Sequence, residues 1–372
     1  MATDDLLETI LRGTPSELQA ARARVADSRG KGDRGVVARV ERAVSAAPRD
    51  TISFDPSGHA TVRAGGEEFS GGVFKVRSIA SLREAVVARS DAPTNSVRLS
   101  VLEGQDAVTD IGALQAMAPT STLFQAASQF NCLESPGAYL ARVTDYLSDP
   151  TQGPRASISA FPATLVRHYA APDEAGGRFV QSAERQLDLL ANALPSTLGR
   201  VESGYLQTKR IADLPGAARA LEERFEQIAV GVHDEAQVVL GHAWDGGVDG
   251  EPRIAQVFTS TLAAGGYGGG EAFGGALETM CRQLLRAAYL GTLLAALDLG
   301  KRRVVLTMIG GGVFANPHTL ICECVLWAIE EVERMGRGEL EVVLNARDLS
   351  RRVDRVALRN ACEQRGGVLR EL

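Results

Sequence analysis

Residues 304–317 read Val-Val-Leu-Thr-Met-Ile-Gly-Gly-Gly-Val-Phe-Ala-Asn-Pro. The apolar, β-branched run predicts a buried strand, and a helix-like segment begins after Pro317. Strand, glycine loop and helix start together present bare backbone N–H groups to a phosphate. Glycine has no Cβ, so a ligand can come close to the main chain at Gly310, Gly311 and Gly312. The same residues also fit a plain strand-to-helix turn, and alone they name no reaction.

A second constellation is Leu123-Phe-Gln-Ala-Ala-Ser-Gln-Phe-Asn-Cys-Leu-Glu134. A strand ending near Ala127 releases Ser128, Gln129, Asn131 and Glu134 at its carboxyl edge, where open α/β sheets hold ligands. Amides and hydroxyls there suit a ribose, and Glu134 suits an acid or base. The competing reading makes Ser128 a helix N-cap and Asn131 a surface residue. A third stretch, Gly231-Val-His-Asp-Glu-Ala-Gln237, follows a predicted helix and offers Asp234 as a second candidate base, with a solvated loop as the alternative. Neighbours on a strand face opposite ways, so at most one of Asp234 and Glu235 is expected to face a site. Asp110, before Ile111 and Gly112, reads by itself as a helix cap. Asp149-Pro-Thr-Gln-Gly-Pro154 makes a rigid turn, and Arg167 beyond it suits an anion or a buried carboxylate.

These groups need elements to position them. Thr14-Pro15-Ser16-Glu17 is a helix start with a capping box. Residues 4–47 are expected to be helical, with a break at Gly30–Asp33 before a second helix over 36–46. Another helix is expected over 81–89, and short strands or hairpins over 51–76. Strands are expected at Val97–Leu102, Thr122–Ala127, Ile254–Thr259 and Leu340–Leu344, with a short end strand from Gly367. Further helices are expected over 138–148, 179–194, 217–230, 276–297, 319–334 and 353–365, and a glycine-rich stretch covers 265–275. The run 184–188 reads as a salt-bridged helical face. Residues 1–95 form an N-terminal helical and hairpin region, and 96–372 the ligand-binding domain. Strands alternating with helices in the second half argue for a layered α/β fold.

Bulk properties narrow the class. The 372 residues are 45% hydrophobic and 23% charged, as in ordinary globular proteins. A net charge of −6 without a long basic tract argues against nucleic acid as a partner. No apolar run has the ~20 residues needed to span a bilayer, so no membrane partner is expected. The start Met-Ala-Thr-Asp-Asp lacks the order of a signal peptide. Five scattered cysteines fit core thiols in a reducing cytoplasm. Cys322 and Cys324 are too close for a zinc knuckle and the five histidines do not cluster, so neither a metal nor a cofactor is expected. The oligomeric state is not legible.

Taken together, the motifs resemble those of macrodomains, over roughly residues 97–345. Asp110-Ile111 matches the early Asp-Ile pair, Gln125-Ala-Ala-Ser128 stands at the asparagine turn, and Gly312-Val-Phe-Ala-Asn-Pro317 matches the late loop. Within that superfamily the chain is most similar to a divergent branch of larger macrodomain-like proteins. Phe124 to Glu134, Thr151 to Pro154 and Gly310 to Pro317 carry that likeness. The branch includes the MavL-like hydrolases, which remove ADP-ribose from arginine.

The resemblance implies a three-layer α/β/α core with helical additions and an N-terminal extension. It implies adenine contact at Asp110 and Ile111, and a diphosphate cradle from Gly310, Gly311, Gly312, Val313 and Phe314, with Asn316 in the same loop. Ser128, Gln129 and Asn131 would face the distal ribose, and Thr151 and Gln152 belong to the same ligand set. The implied activity is hydrolysis of the N-glycosidic bond between ADP-ribose and a protein side chain, arginine first. Glu134 is the first candidate carboxylate and Asp234 the second. The implied partners are ADP-ribose or ADP-ribosylated protein. The alternative is a non-catalytic ADP-ribose-binding module. Gln125 and Ser128 replace both asparagines of the usual turn, and Ala315 the glycine after the aromatic. These departures point away from the glutamate- and aspartate-linked hydrolases.

Overall fold

The computed structural model describes residues 5–89, 96–137, 139–263, 273–347, 349 and 351–372. Most of the glycine-rich stretch expected over 265–275 lies outside the described residues. The chain opens with α1 (Leu6–Arg12), α2 (Pro15–Ser28), α3 (Gly35–Ala46) and α4 (Pro48–Thr51). It continues through β1 (Ile52–Phe54), β2 (Ala60–Ala64), β3 (Glu67–Ser78), α5 (Ile79–Ala88), β4 (Ser96–Glu103), α6 (Ile111–Ala116) and β5 (Thr122–Ala127). Then come α7 (Gln152–Ser159), α8 (Phe161–Tyr169) and two small hairpins, β6 (Ala171–Pro172) with β7 (Arg178–Phe179) and β8 (Val201–Glu202) with β9 (Tyr205–Leu206). The rest is α9 (Leu214–Glu223), β10 (Ala229–Gln237), β11 (Arg253–Thr259), α10 (Gly275–Asp298), β12 (Arg303–Thr307), α11 (His318–Met335), β13 (Glu339–Ala346), α12 (Arg355–Gln364) and β14 (Leu369–Glu371).

Ten strands form one sheet in the order β1-β2-β3-β10-β11-β5-β12-β13-β4-β14. From β11 to β14 every neighbouring pair is parallel, whereas β1, β2, β3 and β10 join antiparallel. Helices α5, α9, α10, α11 and α12 pack together on one face, and α3, α6, α7 and α8 on the other. The result is the expected three-layer α/β/α arrangement. Both faces of the parallel part are covered, so its strands are apolar throughout rather than alternating. In β12, Val304, Val305 and Leu306 are all buried.

The capping box at Thr14 forms, with Thr14 Oγ1 accepting from Glu17 N at 3.3 Å and the Glu17 carboxylate accepting from Thr14 N at 2.7 Å. Three expected helices do not form as written. Residues 143–148 make a short 3-10 helix preceded by loop. Its first N–H groups are taken by Glu41 of α3, from Val143 at 2.6 Å and Thr144 at 2.7 Å. Residues 180–194 are mostly irregular, with a turn at 189–193. Side chains replace the helical bonds there: Ser182 Oγ accepts from Arg185 N, Gln181 Oε1 from Leu187 N, and Asp188 Oδ1 from Leu190 N. Arg185 consequently reaches Asp173 rather than a helical neighbour. The helix expected over 217–230 stops at Glu223, and 229–237 is extended because it pairs with both β3 and β11. Local periodicity lost to sheet pairing.

The sheet does not stay closed along its length. Strands β5 and β12 pair only from Arg303↔Thr122 to Val305↔Phe124. Past that point they part, and the freed backbone groups are met by two glutamines. Gln152 Oε1 accepts from Ala127 N at 2.7 Å, and its Nε2 donates to Gln125 O at 2.9 Å. Gln125 Oε1 accepts from Thr307 N at 3.2 Å, while its Nε2 donates to Thr292 Oγ1 and Ala288 O of α10. Gln125 is therefore buried toward α10. Replacing it by leucine leaves the Thr307 N–H unpaired and should lower unfolding stability by about 1–3 kcal/mol. Denaturant titration checks this, and an unchanged midpoint would mean that the amide finds another acceptor.

Candidate functional site

The gap between β5 and β12 opens into a cavity of about 510 Å³ at the carboxyl edge of the parallel strands. Its size suits a nucleotide-scale ligand. Its walls come from the ends of β5, β11, β12 and β13, the 128–136 loop, the turn leading into α7, and the start of α6. Of the residues singled out in the sequence, Ile111, Ser128, Gln129, Glu134, Thr151, Gln152 and Gly310 through Phe314 line it.

The loop after β12 is held from beneath. Tyr289 of α10 donates to Thr307 O at 2.9 Å and accepts from Ile309 N at 3.1 Å. Asn316 N donates to Gly310 O, and Asn316 Nδ2 donates to Leu262 O, each at 2.9 Å. His318, at the start of α11, donates from Nε2 to Gly311 O at 2.9 Å. Asn316 is thus a brace of the loop and does not line the cavity. Gly310 has φ +73°, and a Cβ there would sit 2.2 Å from Asn316 Nδ2. Gly312 is different: among the described residues a Cβ would meet nothing within 4 Å. The N–H groups of Gly310, Gly312 and Val313 have no partner among the described residues. Unpaired donors on a cavity wall are the physical requirement for cradling a phosphate.

At the β5 end lies Glu134, 7% exposed. No helix follows β5, so Ser128 caps nothing. Its N–H pairs with Thr259 O, and its hydroxyl donates to Leu133 O at 3.2 Å. Glu134 N donates to Tyr146 Oη at 2.7 Å, and Ser157 Oγ donates to Glu134 Oε1 at 3.3 Å. Burial pushes the Glu134 carboxyl up to about 8. The hydroxyls of Ser128 and Ser157 and the charge of Arg167 pull against burial, while Asp149 adds to it. The side chain is therefore a neutral acid at pH 7. Tyr146 Oη lies 2.8 Å from His168 Nε2. Burial pushes His168 down to about 3, so its neutral ring accepts the phenol proton.

The Thr-Gln-Gly-Pro turn positions this acid. Thr151 Oγ1 donates to Asp149 Oδ1 at 2.7 Å. Gly153 backs onto both strand and acid: a Cβ there would be 2.0 Å from Ala127 O and 2.6 Å from Glu134 Oε2.

Several candidates stand elsewhere. Asp110 does cap α6, accepting from Gly112 N and Ala113 N. Its Oδ2 is 2.6 Å from Arg155, so its carboxylate lies behind the cavity wall that Arg155 and Ile111 form. Asn131 is fully buried, accepts from Leu133 N at 3.0 Å and donates to Gln186 at 2.8 Å. Residues 231–237 lie in β10, not in a solvated loop. Asp234 is 2.8 Å from Lys301, just before β12, well away from the cavity. A bulge with Glu235 at φ +56° breaks the alternation, and Glu235 also comes within 3.8 Å of Lys301. The cavity adds residues that the sequence did not flag as site residues: Tyr205 from the β8–β9 hairpin, Asn345 and Arg347 at the end of β13, Ser260 after β11, and Asp149 as a second carboxylate. Tyr205 faces Phe314, ring centroids 6.2 Å apart.

Fold and site together define an α/β/α protein with a ligand crevice at the carboxyl edge of its parallel strands, a bare glycine loop on one wall and a buried carboxylic acid on another. No known family profile matches the chain, and no curated protein does. Among solved structures it is similar to the poly(ADP-ribose) glycohydrolase of Thermomonospora curvata, at 16% identity over 93% of this chain and 99% of that one, TM-score 0.42. It is also similar to the Deinococcus radiodurans poly(ADP-ribose) glycohydrolase in complex with ADP-ribose, at 11% identity over 78% and 93%, TM-score 0.42.

The contacts of Gly153 give a direct test. Alanine there should cost about 1–3 kcal/mol by overpacking and displace the acid. Thermal unfolding reads the first effect, and a melt equal to wild type would show that the turn is not packed as described.

Proposed function

We propose that the protein is an ADP-ribosylhydrolase that releases ADP-ribose from modified protein side chains, with arginine as the linkage. The observation that carries this reading is a neutral, buried glutamic acid in the same crevice as three unpaired backbone N–H groups. The loop donors of Gly310, Gly312 and Val313 take the diphosphate. That fixes the ribose beyond it against the 128–134 edge and turns attack at the anomeric carbon into a positioned event. Adenosine then extends toward Ile111 and the end of β13.

In this reading Glu134 gives its proton to the departing nitrogen as the anomeric C–N bond breaks. The carboxylate so formed takes a proton from the attacking water, whose oxygen completes the new C–O bond. Glu134 returns to its starting state, and the products are ADP-ribose and the unmodified side chain. Asp149, the second carboxylate on the wall, favours a cationic guanidinium leaving group. The arginine assignment rests on this charge and on the three MavL-like segments. Asp234, held by Lys301, has no role in this scheme.

Replacing Glu134 by glutamine keeps size and neutrality but removes the transferable proton. ADP-ribose affinity by calorimetry should stay near wild type, while release from an arginine-modified protein falls by about 10²–10⁴-fold. Wild-type turnover in that variant removes Glu134 from the mechanism, and a wild type that binds ADP-ribose but releases none is a reader. Because the acid must start protonated, kcat/KM should fall as pH rises through about 8. A rate that instead climbs through that range would make Glu134 a base in the free protein.

Gly312→Val tests the loop, since a Cβ there meets no atom of the described residues within 4 Å. The variant should fold as wild type yet lose ADP-ribose affinity, and retained affinity would show that the ligand does not approach the loop there.

A further inference from the structure

Arg167, on α8, is the largest fully buried side chain among the described residues, 0% exposed. It has no carboxylate within ion-pair distance among the described residues. Its Nε donates to Cys132 O at 3.2 Å, Nη2 to Thr164 Oγ1 at 3.1 Å, and Nη1 to His233 Nδ1 at 3.3 Å. The guanidinium lies over the Phe258 ring, 3.6 Å from its centroid. Because a guanidinium only donates, His233 Nδ1 must accept, and its Nε2–H donates to Gly71 O at 2.7 Å. Burial keeps that ring neutral, far below the usual histidine range. The cation is thus solvated by neutral acceptors and one aromatic face.

A buried cation with no counter-ion is costly, and a fold seeking stability alone would place an apolar side chain here. The arrangement gains its meaning from the loop it holds. Cys132, whose carbonyl takes the Nε–H, has φ +62° and stands two residues before Glu134. The proposal that follows rests on the hydrolase reading above. We infer that Arg167 is the positioning residue of the acid: it pins the loop that carries Glu134 and supplies the fixed positive charge that stabilises the Glu134 carboxylate once its proton has gone to the leaving group. Arg167 transfers no proton. It acts as preorganised electrostatics, a charge already in place when the negative charge develops. The groups around Glu134 are consistent with this role. Ser128 and Cys132 belong to its own loop, Ser157 to α7, Tyr146 and Asp149 to the 143–149 turn, and Arg167 to α8. Arg167 is the sole cation of that set.

The test compares Arg167→Met and Arg167→Lys with wild type, using an arginine-modified protein for turnover and ADP-ribose for binding. Arg167→Met should bind ADP-ribose within about threefold of wild type, because the residue touches no ligand. Its kcat should fall on the order of 10²-fold. The alkaline limb of its pH profile should move up by about one unit or more, since the ionised Glu134 has lost its cation. Arg167→Lys keeps the charge but not the planar fork. Its limb should stay near that of wild type while kcat drops through the loosened Cys132 loop. A limb that does not move in Arg167→Met, or wild-type kcat in Arg167→Lys, overturns the proposal. If Arg167→Met does not fold, Arg167→Lys decides. If neither folds, the residue serves the fold alone and the proposal falls. Wild type that fails to bind ADP-ribose sinks the hydrolase reading instead, which is a separate result.

Discussion

Everything at the site depends on two strands parting. A parallel sheet gains by pairing every N–H and C=O along its length, so a gap between central strands must be compensated. Here β5 and β12 separate beyond Phe124 and Val305. The gap is tolerable because the Gln152 amide offers one donor and one acceptor with the spacing that a neighbouring strand would have used. Gln125 does the same for Thr307 from below. Two side-chain amides thus stand in for missing ladder bonds, and the crevice is the space they leave. Without them Ala127 N, Gln125 O and Thr307 N would lose these partners. The turn that delivers Gln152 also delivers Gly153 against Glu134, so crevice and acid are built by consecutive residues.

The second constraint is charge in a dry place. Glu134, Tyr146, Arg167, His168 and His233 are all buried, and burial alone would neutralise each one. The structure mostly lets that happen: both histidines are driven to the neutral state and Glu134 to the acid. Arg167 is lowered only to about 10 and stays charged at neutral pH. One retained cation beside one acid poised near 8 is an uneven arrangement, and unevenness of this kind separates proton donors from structural carboxylates. A purely structural pair would have met as a salt bridge, with the acid lowered rather than raised.

Much of the frame was legible because local chemistry dictated it. The β5 run, the long α10 segment, the Thr14 capping box and the strand–glycine–helix order each rest on residues adjacent in sequence. What was not legible depends on partners far along the chain. Residues 179–194 have a helical pattern, yet Gln181 is drawn into bonds with Asn131 O and Arg167 O, and the helix gives way. Asp234 looked like a candidate base because nothing in its neighbourhood reveals Lys301, nearly seventy residues on. Asn345 and Arg347 reach the cavity through the strand order, which places the end of β13 beside that of β12. Tyr205 reaches it through a separate hairpin, its hydroxyl donating to Ser135 O at 2.7 Å. Gln125 looked like a departure in a ligand turn, but its side chain points the other way, into α10.

The three glycines show how far a motif can be resolved into causes. Gly310 is required by the protein, since its φ is positive and Asn316 lies against it. Gly311 is crowded by His318, with a Cβ 2.9 Å from Nε2, so it too has a reason inside the chain. Gly312 has none among the described residues: its φ is not positive and a Cβ would meet nothing within 4 Å. A glycine in an irregular loop carries an entropic cost that larger residues avoid. Where no described atom demands it, the proposed diphosphate cradle supplies a physical reason: a ligand that comes close to the main chain. Gly312 lines the cavity with an N–H that has no partner among the described residues, which is what a hydrogen-bond acceptor at that wall would require. The part of the run that the described contacts do not explain is the part on which the proposed phosphate cradle rests.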